Sequence, residues 1–284
     1  MNKLELTALI KRALDEDIGE QDVTSGAIFT ETDHASGQFL MKADGILAGT
    51  EIIELAYHLL DQTIEVELLA KNGEQVVYGQ VIAEVRGPVI PLLSGERVIL
   101  NLLQRLSAIA TTTAEIVEIL ADPTIRVCDT RKTTPGLRML EKYAVRVGGG
   151  YNHRFGLYDA VLIKDNHIAH AGSITEAVKR VRAKYGHTLR VEVETENMAE
   201  VQEAIKSGVD VIMLDNCTPE AAKLYTAIIP PEIKSELSGG INRNNIAKYR
   251  GTGVDYISLG MLTHSVTALD ISFNLAGGVK YGAE

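Results

Sequence analysis

The spacing of apolar positions changes near residue 120. Before it the pattern is mixed. Leu6, Leu9, Ile10, Ala13 and Leu14 recur at helical spacing and share one stripe, which Gly19 ends. The run 64–85 (IEVELLAKNGEQVVYGQVIAEV) predicts two β segments joined by a turn at Asn72-Gly73. From Leu92 to Leu120 the spacing is helical again, with Leu102, Leu103, Leu106, Ile109 and Ala110 on a buried face. The expectation is an α+β lobe followed by a long connecting helix.

After residue 120 short β-rich runs recur: IRVCD (125–129), AVLIKD (160–165), LRVEVE (189–194), VIMLD (211–215), IKSELS (233–238) and YISLG (256–260). Helical stretches such as ITEAVKRVRAKYG and MAEVQEAIKSG stand between several of them. Alternation of apolar strands with helices predicts a parallel sheet covered on both faces. An open doubly wound sheet and a barrel both satisfy the pattern. The strand ends favour the barrel, because most finish on a polar residue or glycine: Asp129, Lys164, Glu194, Asp215, Ser238 and Gly260. Barrel enzymes gather their active sites at the C-terminal ends of the strands. Six or seven strands are visible, fewer than the eight of a complete barrel.

Composition narrows the function classes. Apolar residues make up 45% of the 284 and charged residues 23%, as in an ordinary globular protein. The formal charge of −10 argues against a nucleic-acid or anionic-membrane binder, both of which need a broad basic surface. No apolar run is long enough for a membrane span. The first twenty residues carry charges throughout and offer no secretory h-region, so a cytoplasmic setting is expected. The two cysteines, Cys128 and Cys217, form no CxxC pair and read as packed structural residues.

Against that acidic background, 126–154 concentrates seven Lys/Arg (Arg126, Arg131, Lys132, Arg138, Lys142, Arg146 and Arg154) against Asp129 and Glu141. Clustered guanidinium groups bind carboxylate or phosphate, so the run predicts an anion site, with a solvated basic face as the bland alternative. Gly148-Gly149-Gly150, just before His153 and Arg154, marks a close backbone approach. Ser238-Gly239-Gly240 and Leu259-Gly260-Met261 follow the last two strands, where barrels commonly hold a phosphate on backbone N–H groups. Glu194 and Asp215 end neighbouring strands and can serve as general base, ribose-hydroxyl acceptor or magnesium partner. Lys164, after apolar AVLI, is expected in a partly dry environment, as a Schiff-base nucleophile or a fixed positive charge. His153 and His167 lack metal-ligand spacing, and His153 reads as a donor to an anion. Residues alone thus predict a barrel mouth for a small, multiply anionic, phosphorylated substrate. Transfer of a phosphorylated sugar, a Schiff-base aldolase using Lys132 or Lys164, and a non-catalytic phosphosugar-binding module all remain open.

The longer strings are more specific. DTRKTTPGLR (129–138), EKYAVRVGGGYNHRFGLYDAVLIKDNHI (141–168), VIMLDN (211–216), SGGI (238–241) and LTHS (262–265) closely resemble the quinolinate phosphoribosyltransferase family, also called nicotinate-nucleotide pyrophosphorylases (carboxylating). SGERVILNLLQRLSAIAT (94–111) and DVTS (22–25) resemble its N-terminal lobe, and Ala108 stands where the family often has glycine. A molybdenum-associated relative shares the DTRKT and GGG-x-x-HR pieces but usually lacks the KDNH run present here at 164–167.

The resemblance implies an N-terminal α+β open sandwich lobe over 1–112, with 268–284 returning to it, and an incomplete TIM-like α/β barrel over 113–267. It implies transfer of phosphoribosyl from 5-phosphoribosyl-1-diphosphate to quinolinate with decarboxylation. The implied assembly is a homodimer with shared active sites, or a higher oligomer. Mg2+ is the implied cofactor, with no organic one. By family match quinolinate contacts Arg131, Lys132, His153 and Arg154, with Arg97 delivered from the partner subunit, and Thr130 joins the substrate contacts. The 5-phosphate falls to Ser238, Gly239, Gly240, Leu259, Gly260 and Met261. Glu194 and Asp215 hold the ribose hydroxyls and, directly or through water, magnesium. Lys164, with Lys132, meets the diphosphate. Lys132, Lys164, Glu194 and Asp215 are the implied catalytic set.

Overall fold

The computed structural model describes residues 1–276, so the expected return of 277–284 lies outside the described residues. The chain divides into two compact units. The first holds 1–112, 135–148 and the described segment from 266; the second holds 113–134 and 149–265.

In the first unit, helix α1 (Lys3–Ile18) starts where the Asn2 side chain accepts the N–H groups of Leu4 and Glu5, and it buries Leu6, Leu9, Ile10 and Leu14. Gly19 stops it at φ 59°. Helix α2 (Val23–Ile28) is capped by Asp22. Strand β1 (His34–Met41), ribbon strand β2 (Gly45–Ile46), helix α3 (Glu51–Leu60), strands β3 (Glu65–Leu68), β4 (Gln75–Val76) and β5 (Val81–Pro88), and the long helix α4 (Val89–Leu120) follow.

The run 64–85 thus holds the starts of three strands, not two joined at Asn72-Gly73. β3 pairs antiparallel with β5, and β4 pairs with β2. A turn does stand there, with Gly73 at φ 84°. Asn72 serves a different end: its Oδ1 accepts from the N–H groups of Gly49 (2.6 Å) and Thr50 (3.1 Å) at the start of α3.

The second unit opens with β6 (Arg126–Cys128). Helix α5 (Arg138–Val147) then belongs to the first unit, against the expected boundary that put 113–267 together. It buries Met139, Leu140, Ala144 and Val145, and its Glu141 pairs with Arg105 of the same unit (2.7 Å). The second unit resumes with β7 (Val161–Ile163), α6 (Asp165–Ala171), α7 (Ile174–Tyr185), β8 (Val191–Thr195), α8 (Met198–Lys206), β9 (Val211–Asp215), α9 (Pro219–Thr226), β10 (Lys234–Ser238), a 3-10 turn (Ile246–Tyr249), β11 (Tyr256–Ser258) and α10 (Met261–His264). Last, β12 (Ile271–Ala276) pairs antiparallel with β1, giving the first unit a sheet of order β12-β1-β5-β3.

The six strands of the second unit form one parallel sheet in the order β6-β11-β10-β9-β8-β7. β6 and β7 are not paired with each other, so the barrel is incomplete; beside β6 the chain at Tyr151 makes a parallel bridge to Cys128. Side chains alternate across a parallel strand. Val191, Val193, Ile212, Leu214, Leu237 and Ile257 are buried on the helix-covered face. The alternate set faces inward and carries Glu192, Glu194, Met213, Asp215, Glu236, Ser238 and Ser258. Among the described residues no helix is long and apolar enough to cross a membrane.

The first unit's sheet is locked by aromatics. Phe39 on β1 is fully buried, its ring centroid 4.9 Å from that of Phe273 on β12 and 6.3 Å from that of Tyr57 on α3. Phe39→Ala should cost about 3–5 kcal/mol of stability, read from denaturant unfolding. A loss below about 1 kcal/mol would show that this cluster does not anchor the sheet.

Candidate active site

The C-terminal ends of the six parallel strands enclose a cavity of about 670 Å³. Every expected site residue lines it except Arg97 and Leu259. Arg97 is an exposed residue of α4 in the first unit. Leu259 is buried on the opposite side of its strand end, and its N–H donates to the Cys128 carbonyl (2.9 Å), so it offers a ligand neither side chain nor amide. Alternation explains the split: one position on, Gly260 faces in.

At the end of β6, the fully buried Asp129 organises the mouth. Its carboxylate accepts the His153 N–H (3.0 Å) and the Asn152 side-chain amide, which fixes the loop carrying His153 and Arg154. The next turn is held by Thr130 Oγ1, which accepts from the Lys132 N–H (3.0 Å), and by Thr263 Oγ1, which donates to the Lys132 carbonyl (2.7 Å). A Cβ on Gly260 would stand 2.8 Å from Lys132 Cδ and 3.0 Å from the His264 ring, so a side chain there would make the lysine stem shift. Arg154 donates to the Ala160 carbonyl (3.2 Å). Burial, and then the neighbouring Arg131 charge, press its guanidinium below its usual range, with Glu192 and Asp159 opposing.

Of the seven basic residues in 126–154, only Arg131, Lys132 and Arg154 line the cavity. Arg138, Lys142 and Arg146 go with α5 into the first unit, Lys142 being buried there. Arg126 sits at the far end of β6, stacked over the Tyr151 and Tyr256 rings. The basic run is therefore split by the fold, and three of its members form the anion pole.

The other pole lies on β8 to β10. Lys164 donates its Nζ to Glu194. Its side chain is 46% exposed, so the expected dry surroundings are not found. Asp215 is raised above the usual carboxylate range by burial and then by Glu194, with Lys164 opposing. The two carboxyls therefore feel each other. Asp215 stands opposite Ser238 in the β9–β10 register. Next to it, Asn216 holds a left-handed φ of 50°, donates its N–H to the Ser238 carbonyl (2.9 Å) and its side-chain amide to Asp215 (2.6 Å). Gly239 (φ 86°) and Gly240 (φ 66°) form the adjacent turn, and Asn245 donates to the Gly240 carbonyl (2.9 Å).

Asn216, Glu236, Ser258 and His264 also line the cavity and were not among the expected site residues. Asn216 and His264 stood in the strings VIMLDN and LTHS. The inward alternation of β10 (Glu236, Ser238) would have exposed Glu236 once its register was known. Deeper in the barrel, His153 Nε2 lies 3.0 Å from Glu192 and 3.4 Å from Glu236. These three could in principle gather round a metal. His153 Nδ1, however, accepts the Arg154 N–H (2.8 Å), which leaves the ring proton on Nε2, the atom facing the carboxyls. That makes it a donor and not a ligand. Glu194 and Asp215, oxygen donors close enough to repel, suit a hard divalent cation better.

The chain matches the family models for the quinolinate phosphoribosyl transferase N-terminal domain over residues 22–107 and C-terminal domain over 109–274. It is 54% identical to the probable nicotinate-nucleotide pyrophosphorylase (carboxylating) of Bacillus subtilis, over 97% of this chain and 95% of that protein. Among solved structures it resembles NadC from Streptococcus pyogenes with a TM-score of 0.94 and 43% identity, covering 97% of this chain and 98% of that one. It resembles the nicotinate-nucleotide pyrophosphorylase from Francisella tularensis with a TM-score of 0.90 and 36% identity, at the same coverage.

A Cβ on Gly239 would fall 2.4 Å from Asn216 Oδ1 in a backbone conformation that L side chains rarely adopt. Gly239→Ala should therefore cost about 1–3 kcal/mol in the thermal or denaturant transition and weaken the binding of inorganic phosphate measured by calorimetry. Unchanged phosphate binding would remove the turn from the anion site.

Proposed function

This chain belongs to the quinolinate phosphoribosyl transferase family, and from that premise we propose that it transfers phosphoribosyl from 5-phosphoribosyl-1-diphosphate to quinolinate, releasing diphosphate and carbon dioxide and leaving nicotinate mononucleotide. It is thus a carboxylating nicotinate-nucleotide diphosphorylase of de novo NAD synthesis. One observation carries the reading: a single barrel mouth sets the cations Arg131, Lys132 and Arg154 across from a glycine turn, with Lys164, Glu194 and Asp215 also lining it.

Quinolinate carries two carboxylates and needs more than one cation. Arg131, Lys132 and Arg154 supply them, His153 fixes the ring's orientation, and Thr130 holds the turn. The 5-phosphate rests on Ser238, Gly239 and Gly240, with Gly260 and Met261 closing the same side. Glu194 and Asp215 accept from the ribose hydroxyls. Lys164 is tethered by Glu194 within reach of the leaving diphosphate. Glu194 and Asp215 would hold Mg2+, directly or through water, and the ion would neutralise charge on the diphosphate. No organic cofactor enters the scheme.

As the C1–diphosphate bond loosens, the sugar takes on oxocarbenium character, and the lysines stabilise the charge leaving it. The quinolinate nitrogen attacks C1 from the opposite face. The ring nitrogen is now cationic and accepts the electron pair left when the adjacent carboxylate departs as carbon dioxide. The aldolase reading loses support, because Lys164 is half-exposed and engaged by a carboxylate.

Homodimerisation, with Arg97 of the partner subunit completing the quinolinate pocket, belongs to this reading. It is supported by the exposure of Arg97 on α4 and by its position in the family-matched string. A cytoplasmic location belongs to it as well, supported by two buried cysteines that are not joined in a disulfide.

Purified protein given quinolinate, 5-phosphoribosyl-1-diphosphate and magnesium should release carbon dioxide and form nicotinate mononucleotide. Folded protein that releases neither contradicts the assignment. Arg97→Ala should lose activity, and mixing it with a variant disabled in the barrel, Lys132→Ala, should restore a fraction of turnover in mixed dimers. Failure of mixed dimers to regain activity would end the cross-subunit role.

A further inference from the structure

Quinolinate binding places two negative charges over a barrel interior that already holds two buried carboxyls. Glu192 on β8 and Glu236 on β10 are 6% and 5% exposed. Between them stands the His153 ring, its Nε2 atom 3.0 Å from Glu192 and 3.4 Å from Glu236. Ser258 on β11 donates to Glu236 (2.5 Å), while Glu192 Oε1 makes no hydrogen bond although buried. His153, Arg154 and Glu236 line both the mouth and a second cavity of about 240 Å³ at the N-terminal ends of the strands, which also reaches Glu192. The cluster is therefore the floor of the anion pocket.

We propose that Glu236 is a positioning residue of this pocket: with Glu192 it brackets the His153 ring at Nε2, and it takes up a proton when the dicarboxylate is seated above. The proposal rests on the quinolinate reading.

The physics is like-charge repulsion in a region sheltered from water. Burial, and then the Glu192 charge, push the Glu236 carboxyl up to about 7, against the lowering influence of His153 and Ser258; Asp129, beyond β6, adds to the rise. Arg154 and Arg190 line the same cavity and bring positive charge to it, Met213 on β9 carries none, and Lys234, lower on β10, is paired with Asp255. A seated dianion adds negative charge from above and raises Glu236 further. Above pH 7 the free site has lost this proton and the complex has regained it. Quinolinate affinity should then fall as pH rises above 7, by up to about tenfold per pH unit. Below about pH 6 the proton is already present and affinity should not depend on it. Glu236→Gln keeps the shape beside the ring but cannot titrate, so it mimics the protonated form.

The test is calorimetric titration of the full chain with quinolinate alone, in buffers of different ionisation enthalpy. Wild-type protein should take up close to one proton per site at pH 8 and almost none at pH 5.5. Glu236→Gln, its fold checked by circular dichroism, should take up none at pH 8 and bind with a flat pH profile. Ser258→Ala keeps both carboxyls but removes a hydrogen bond that lowers Glu236, so the onset should move to higher pH. Tight binding without uptake in the wild type, or uptake unchanged in Glu236→Gln, overturns the role of Glu236 and leaves the quinolinate reading standing. Absence of quinolinate binding overturns both.

Discussion

Charged groups facing the inside of a parallel barrel are stable only if each finds a partner, and a barrel interior is ordinarily filled by branched apolar side chains. Here the inward rows of β8, β9 and β10 carry Glu192, Glu194, Asp215 and Glu236, and every pairing that offsets their burial also shapes the mouth. Lys164 answers Glu194, the His153 ring stands between Glu192 and Glu236, and Ser258 holds Glu236. Asp129 anchors the loop that brings His153 and Arg154 over this floor. The outward rows supply the apolar burial, so the interior is free to remain polar and hollow.

Separation of charge follows from that arrangement. Arg154 is held in surroundings that disfavour its charge, and Asp215 in surroundings that disfavour its own. An anionic ring acid relieves the first strain and a divalent cation the second. In the proposed reading a dicarboxylate takes one pole and the diphosphate the other, with the pentose between. Covalent bond formation requires no further machinery than this alignment and the charge stabilisation around it.

Much of this was legible because a polar residue or glycine at the end of an apolar strand has no packing reason to be there. Lys164, Glu194, Asp215, Ser238 and Gly260 stood out on that ground, and all line the cavity. Glu236 and Ser258 did not, because they lie inside short strands whose inward face is defined only by register with neighbours. Leu259 does not line the cavity for the same reason: one residue of alternation turns it to the opposite side from Gly260. Arg138, Lys142 and Arg146 are adjacent in sequence to Arg131 and Lys132, yet α5 packs with the other unit. Asn72 was read as part of a hairpin turn; its partners, Gly49 and Thr50, lie more than twenty residues away and no local pattern names them.

The central claim is that the Arg131, Lys132 and Arg154 pole seats a pyridine dicarboxylate. A crystal structure of the protein with quinolinate bound tests it most directly. The account requires both carboxylates in contact with those three cations, with the ring nitrogen open toward the Ser238–Gly240 turn. Quinolinate lodged elsewhere, with that pole untouched at full occupancy, would contradict it.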